Sequence, residues 1–250
     1  MRIRKYTKYS VYCPTYILKK YTDNMYKLVF MKALRRKGFE EIDRKRKTHN
    51  PNDKKLVNSI SRSRAKIFEY AICNEFEYFV TLTIDSNRYD RTNLKNYYKD
   101  FSQFLRNYRI KYNINIQYLF IPELHKDGKS WHMHGFITGI PKEHFTINEH
   151  GYLDWLAYKE KFGYISLDKI RDKKRCSLYI TKYVSKNIES CITDLNAKMY
   201  YASRDLKTAV EVKRGELQIP LGVQPDFTNE YVKIYWLDND IKIKIKESSF

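Results

Sequence analysis

The sequence predicts an α+β fold, a sheet with helices on one face. Three observations predict it. Helical and strand periodicities alternate through the middle of the chain. Apolar residues make up 42% and aromatics 16%, with 23 tyrosines, enough for a packed core. No run approaches the roughly 18 consecutive apolar residues of a membrane span. The basic residues at the start are not followed by the apolar stretch of a secretory signal.

The elements follow in chain order. Residues 61–74 (SRSRAKIFEYAICN) place Ala65, Phe68, Ala71 and Ile72 at helical spacing. Residues 77–85 (EYFVTLTID) are rich in β-branched and aromatic side chains and end at Ser86-Asn87, which predicts a buried strand. Residues 93–111 align Leu94, Tyr97, Tyr98, Phe101, Phe104, Leu105 and Tyr108 on one stripe, a second helix. Two more strands are expected at 115–123 (NIQYLFIPE) and 131–140 (WHMHGFITGI), joined by a hairpin-like turn through Asp127-Gly128. Residues 167–190 read mostly as helix, and residues 231–237 and 241–246 as a β-hairpin around Asp238-Asn239-Asp240. Cys13, Cys73, Cys176 and Cys191 lack CxxC spacing and read as reduced thiols.

Charge points to the partner. Against 29 acidic residues stand 48 Lys+Arg, a formal net charge of +19, and nucleic acid is the commonest polyanion. Residues 1–70 hold 20 of those basic residues and only 6 acidic ones. Arg44-Lys45-Arg46-Lys47 runs into the turn-formers of 48–53. Residues 1–60 are therefore expected to be a basic leader that contacts DNA phosphates without reading sequence. Residues 61–190 form the expected central domain, and 191–250 a C-terminal extension containing the hairpin.

Two constellations carry chemistry. His132 and His134 are two apart on a predicted strand, so both imidazoles project from one face. A divalent cation is their natural shared ligand, and one that engages phosphate would also want a carboxylate. Glu123, across the Asp-Gly turn, is the expected third ligand and His125 the alternative. The second constellation is residues 179–186 (YITKYVSK), where Tyr179 and Tyr183 lie one helical turn apart with Lys182 and Lys186 repeating beside them. An ammonium beside a phenol favours the phenolate that a nucleophilic tyrosine needs. Tyr108 and Tyr112 share the spacing, but only 179–186 holds both Tyr-Lys units. The chain carries no P-loop motif and no zinc-finger spacing.

Taken in order, FVTLTID (79–85), IPELHKDGKSWHMHGF (121–136) and YITKYVSK resemble the rolling-circle replication initiators of the HUH endonuclease superfamily. These serve small plasmids and single-stranded DNA phages, and the resemblance is to the two-tyrosine type and to members from low-GC Gram-positive bacteria. It covers about residues 61–187, and 201–207 (YASRDLK) resembles a further stretch of the same proteins. The resemblance implies a ferredoxin-like (RRM-like) antiparallel sheet with the His motif on a central strand. It implies Mg²⁺ or Mn²⁺ on Glu123, His132 and His134, and sequence-specific nicking and rejoining of single-stranded origin DNA. Tyr179 and Tyr183 would form the 5′-phosphotyrosine link and leave a 3′-OH primer, with Lys182 and Lys186 offsetting charge. Arg204 and Lys207 join residues 44–47 as expected DNA contacts. Host helicase and polymerase are the expected partners, in the cytoplasm of a bacterial cell. A relaxase or transposase of the same superfamily is the alternative, although relaxases place the tyrosine before the histidines. A non-catalytic basic nucleic-acid-binding protein is the remaining reading.

Overall fold

The computed structural model describes residues 2–6, 13–35, 39–43, 53–186, 198–217, 222–229, 232–238 and 245–247. The chain divides into two units, Met1–Asn50 with Thr208–Phe250, and Pro51–Lys207.

The first unit opens with β1 (Arg2–Tyr6), β2 (Cys13–Thr22), β3 (Met25–Arg35) and β4 (Phe39–Asp43). β2 and β3 form a hairpin whose register closes at Thr22 opposite Met25, so Asp23 and Asn24 make the turn. Strand structure thus replaces much of the expected basic leader. Its lysines and arginines alternate with Tyr16, Leu18, Tyr26 and Leu28, which pack into a small core with Tyr235 and Leu237. The cluster Arg44–Lys47 lies outside the described residues.

The second unit begins with α1 (Asp53–Cys73) and β5 (Tyr78–Ile84). β5 alternates cleanly, burying Tyr78, Val80, Leu82 and Ile84 and turning Phe79, Thr81 and Thr83 to the other face. α2 (Leu94–Tyr112) starts where the Asn93 side chain accepts a hydrogen bond from the Asn96 amide. It ends at Asn113, whose left-handed backbone (φ 50°) caps the last turn. Its buried stripe of Tyr97, Phe101, Leu105 and Tyr108 is the one the periodicity predicts. Next come β6 (Gln117–Leu124) and β7 (Trp131–Thr138), then short β8 (Phe145–Ile147) and β9 (Leu153–Trp155), α3 (Leu156–Lys161) and β10 (Gly163–Lys169). α4 (Lys173–Lys186) and the two-residue β11 (Tyr201–Ala202) complete the unit.

All seven strands pair antiparallel in the order β11-β6-β7-β5-β10-β9-β8. The inner four, β6-β7-β5-β10, with α2 and α3 as the connecting helices, have the ferredoxin-like arrangement, and the His motif lies on interior strand β7. α2 and α3 share one face, where Tyr97 and Tyr158 meet hydroxyl to hydroxyl at 2.8 Å over a core of Leu82, Phe120, Met133 and Phe162. The expected single helical face therefore holds for this core. The opposite face gains a second layer, because Ile60, Ile67 and Ala71 of α1 and Ile180 and Val184 of α4 pack on Leu119, Ile121 and Phe136.

Three further expectations change. The helix expected over 167–190 begins at Lys173, because Leu167–Lys169 complete β10 against β5 and Asp172 caps α4 through the Arg175 amide. The boundaries expected at 60/61 and 190/191 fall at 50/51 and 207/208. α1 runs unbroken through the first, and Lys207 is tied by its backbone N–H and C=O to the Asn74 side chain. The C-terminal hairpin is absent as a pair. β12 (Val210–Leu217), β13 (Phe227–Thr228), β14 (Val232–Leu237) and β15 (Ile245–Glu247) join the first unit's sheet in the order β13-β14-β3-β2-β12-β15. β14 pairs with β13 and β3, and β15 with β12.

One close approach fixes the strand that carries the histidines. Gly135 lies opposite Phe120, and a Cβ there would stand 2.2 Å from the Leu119 carbonyl oxygen and 2.5 Å from Phe120 Cδ1. Gly135→Ala should cost about 1–3 kcal/mol of stability, the usual range for overpacking. Urea denaturation checks it, and an unchanged midpoint would contradict the packing described.

Candidate metal centre and tyrosine pair

The β6–β7 hairpin sets the geometry. Its turn is closed by the His125 amide donating to the Ser130 carbonyl (2.7 Å) and the Gly128 amide donating to the His125 carbonyl (2.9 Å). Gly128 has φ +68°, a conformation other residues adopt at a cost. The Asp127 carboxylate accepts from the Ser130 hydroxyl and from the Ser130 and Lys129 amides, bonds that hold its carboxyl well below the usual carboxylate range. Arg91 secures the turn from outside, donating Nε to Ser130 Oγ at 2.9 Å while its guanidinium faces Asp127.

That turn puts Glu123 directly opposite His132, with His134 two residues further along the same face. The Nε2 atoms of His132 and His134 lie 3.0 and 2.8 Å from the same Glu123 oxygen, Oε2. The ligand atoms of the three residues all fall within 4.8 Å of one another. Glu123 is 9% exposed, so its charge is largely withdrawn from water and needs a cationic partner. His134 has a second contact, Nδ1 to Thr81 Oγ1 at 3.0 Å. With the proton on Nδ1 donated to Thr81, the Nε2 lone pair is free to ligate, the usual outer support of a metal-binding histidine. Two imidazoles and a carboxylate converging in this way suit one divalent cation. His125 is outside the group. Its exposed ring meets that of His132 edge-on at 5.8 Å.

α4 brings the tyrosines to the same place. The Tyr183 ring stacks on His134, with centroids 4.1 Å apart and planes 18° from parallel. Its hydroxyl donates to the Tyr179 hydroxyl at 2.9 Å. Burial first, then that hydrogen bond and the nearby charges of Tyr179 and Glu123, push the Tyr183 phenol well above its ordinary value. Tyr183 is 6% exposed and Tyr179 47%, so residues on one helical face have different access to solvent. Phe79 lies between the groups, 6.3 Å from His134 and 5.9 Å from Tyr179 by ring centroid. Lys182 Nζ stands 5.6 Å from the Tyr179 ring.

The remaining expected site residues are elsewhere. Lys186 is the last residue of α4, and its side chain lies outside the description, as do Arg44–Lys47. Arg204 and Lys207 are exposed on the segment after β11, which forms the sheet edge beyond β6. Sequence reasoning missed Thr81, Phe79 and the Arg91–Asp127–Ser130 clasp. The signal for Thr81 was present, a hydroxyl at a position that alternates with the buried residues of an otherwise apolar strand.

Mn²⁺ titration by calorimetry checks the ligand set. Glu123→Ala, His132→Ala and His134→Ala should each abolish binding, while His125→Ala should leave it intact. Thr81→Val should weaken it by about tenfold, the low end for loss of a supporting hydrogen bond. Binding that survives Glu123→Ala and disappears in His125→Ala would exchange the third ligand.

Residues 77–188 match the model of one protein family, the replication-associated proteins of the ORF2 and gene-two-protein type. The match runs from the start of β5 through α4 and so includes Glu123, both histidines and both tyrosines. Comparison with curated proteins and with solved structures returned no match. Among the described residues no helix is long and apolar enough to cross a membrane. The family match supports a replication initiator, a protein that would bind origin DNA.

Proposed function

We propose that the chain is a rolling-circle replication initiator of the HUH type, which nicks and rejoins single-stranded origin DNA with Tyr179 and Tyr183 beside a metal ion. The observation that carries this reading is the stacking of Tyr183 on His134, with the Tyr179 hydroxyl 2.9 Å from that of Tyr183. Residues far apart in sequence thus form one group of ligands and phenols.

Glu123, His132 and His134 hold Mg²⁺ or Mn²⁺, which when bound polarises the scissile phosphate. Tyr179, the exposed phenol, makes the first attack. A bond forms between its oxygen and phosphorus, the bond from phosphorus to the 3′ oxygen breaks, the phenol loses its proton and the 3′ oxygen gains one. The products are a 5′-phosphotyrosine and a free 3′-OH for a polymerase. One phosphodiester replaces another, so the step reverses readily. Tyr183 serves the second transfer, its oxygen already beside that of Tyr179. The Lys182 ammonium, and that of Lys186 one turn on, offset the negative charge of phosphate and phenolate. Arg44–Lys47, Arg204 and Lys207 add phosphate contacts. With no P-loop motif in the sequence, unwinding falls to a host helicase, in the cytoplasm of a bacterial cell. The order of histidines before tyrosines favours an initiator over a relaxase.

A labelled single-stranded oligonucleotide from the origin, incubated with Mn²⁺, tests this. Tyr179→Phe should lose the covalent adduct by about a thousandfold or more, as loss of a nucleophile does. Tyr183→Phe should retain the adduct but fail in strand transfer to a second end. Adduct formation surviving in the double variant would overturn the tyrosine assignment, and the opposite pattern of single variants would reverse the order.

A further inference from the structure

We infer that the uncovered half of the sheet face beside Glu123, His132 and His134 is a subsite for one nucleotide of a single strand, with its base stacked on Tyr164. This rests on the nicking reading and adds the path of the strand next to the cut.

The observation is a transverse row. Register places Glu123 opposite His132, His132 opposite Thr83, and Thr83 opposite Tyr164, across β6, β7, β5 and β10. A second row runs parallel to it through Ile121, His134, Thr81 and Ser166. Side chains in such rows share a face, and adjacent strands are about 4.8 Å apart. Tyr164 therefore stands two strands, about 10 Å, from His132.

The two halves of this face differ. Over β6 and β7, α1 and α4 bury Leu119, Ile121 and Phe136. Over β5 and β10 the face presents Thr81, Thr83, Ser166 and Tyr164, and Tyr164 is 63% exposed. The reverse side of β10 buries Ile165 and Leu167 in the main core, so the strand is anchored and Tyr164 stands on a rigid floor. At Thr83, the register partner of Tyr164, opens a cleft of about 240 Å³, lined in part by Thr81, Arg91, His125 and His132 as well. His132 belongs to both cleft and ligand group, so the two are continuous.

The cleft chemistry identifies the occupant. Its lining carries hydroxyls, a guanidinium and imidazoles but no carboxylate. Asp168, the nearest acid on this face of β10, stands opposite Phe79, beyond both rows. Such a lining suits a phosphate and its sugar, and an exposed phenol on a sheet suits a base with a free π face. Paired bases are stacked within a duplex and offer no such face, so the ligand is single-stranded. Arg91 is pre-placed by its bond to Ser130, which lowers the entropic cost of a phosphate contact.

Binding of a mixed-sequence single-stranded oligonucleotide, followed by fluorescence anisotropy in EDTA, tests the subsite without cleavage. Tyr164→Ala should weaken it by about tenfold, and Tyr164→Phe should stay within about twofold, as stacking on an aromatic ring requires. A fully abasic oligonucleotide of the same length should bind the wild type and Tyr164→Ala equally. Unchanged affinity in Tyr164→Ala, or an equal loss on the abasic strand, would overturn the inference. Adduct formation with Mn²⁺ is scored separately. A wild type that forms no adduct yet shows the Tyr164 loss would refute nicking and keep the subsite, and adducts without that loss would do the reverse.

Discussion

The register of the β6–β7 hairpin is the constraint on which the rest depends. Side chains alternate across a strand, so a slip of one residue in either strand would send the histidines, or the glutamate, to the α2 face. Asp127 resists that slip by gathering three donors of its own turn, and Arg91 clasps the turn from a separate loop. Behind the histidines, Gly135 lets the backbone of β7 lie against Phe120. The ligand group is thus a consequence of strand pairing, and its precision is that of the sheet.

From that register the two faces take separate tasks. One is the apolar floor on which α2 and α3 close the core through Tyr97, Phe101, Tyr158 and Phe162. The other is divided, with a helical roof over β6 and β7 and polar side chains over β5 and β10. The roof helix α4 is anchored by Ile180 and Val184, and this anchoring delivers Tyr183 to His134 and leaves Tyr179 at the rim. Position at the edge of the roof explains the unequal exposure of the two phenols better than their spacing does.

Much of this was legible in the sequence, for local reasons. β5, β6, β7 and α2 are long enough for their periodicity to stand out, and the Asp-Gly turn tied Glu123 to the histidines. Helical spacing put Tyr179 and Tyr183 on one face but gave no sign that Tyr183 would be covered, since covering comes from the sheet and α1. The short strands β8 and β9 and the six-residue α3 are too brief for a period to declare itself, and β10 was partly absorbed into the expected helix. In the first unit the number of lysines and arginines concealed a hairpin that Ile17, Leu18, Leu28 and the Asp23-Asn24 turn would otherwise announce. The pairing of β15 with β12 instead of β14 is a non-local choice that the Asp238–Asp240 stretch could not reveal.

The central claim is that the carboxylate–histidine group and the α4 tyrosines act on one phosphate. It is tested most directly by locating the adduct. Trypsin cuts after Lys182 and so separates Tyr179, in peptide 176–182, from Tyr183, in peptide 183–186. Mass spectrometry of the digested wild-type adduct, formed with Mn²⁺ on origin single strand, should place the nucleotide mass on peptide 176–182 and find none when EDTA is present. A nucleotide mass on neither peptide, or one that forms equally in EDTA, would contradict the account.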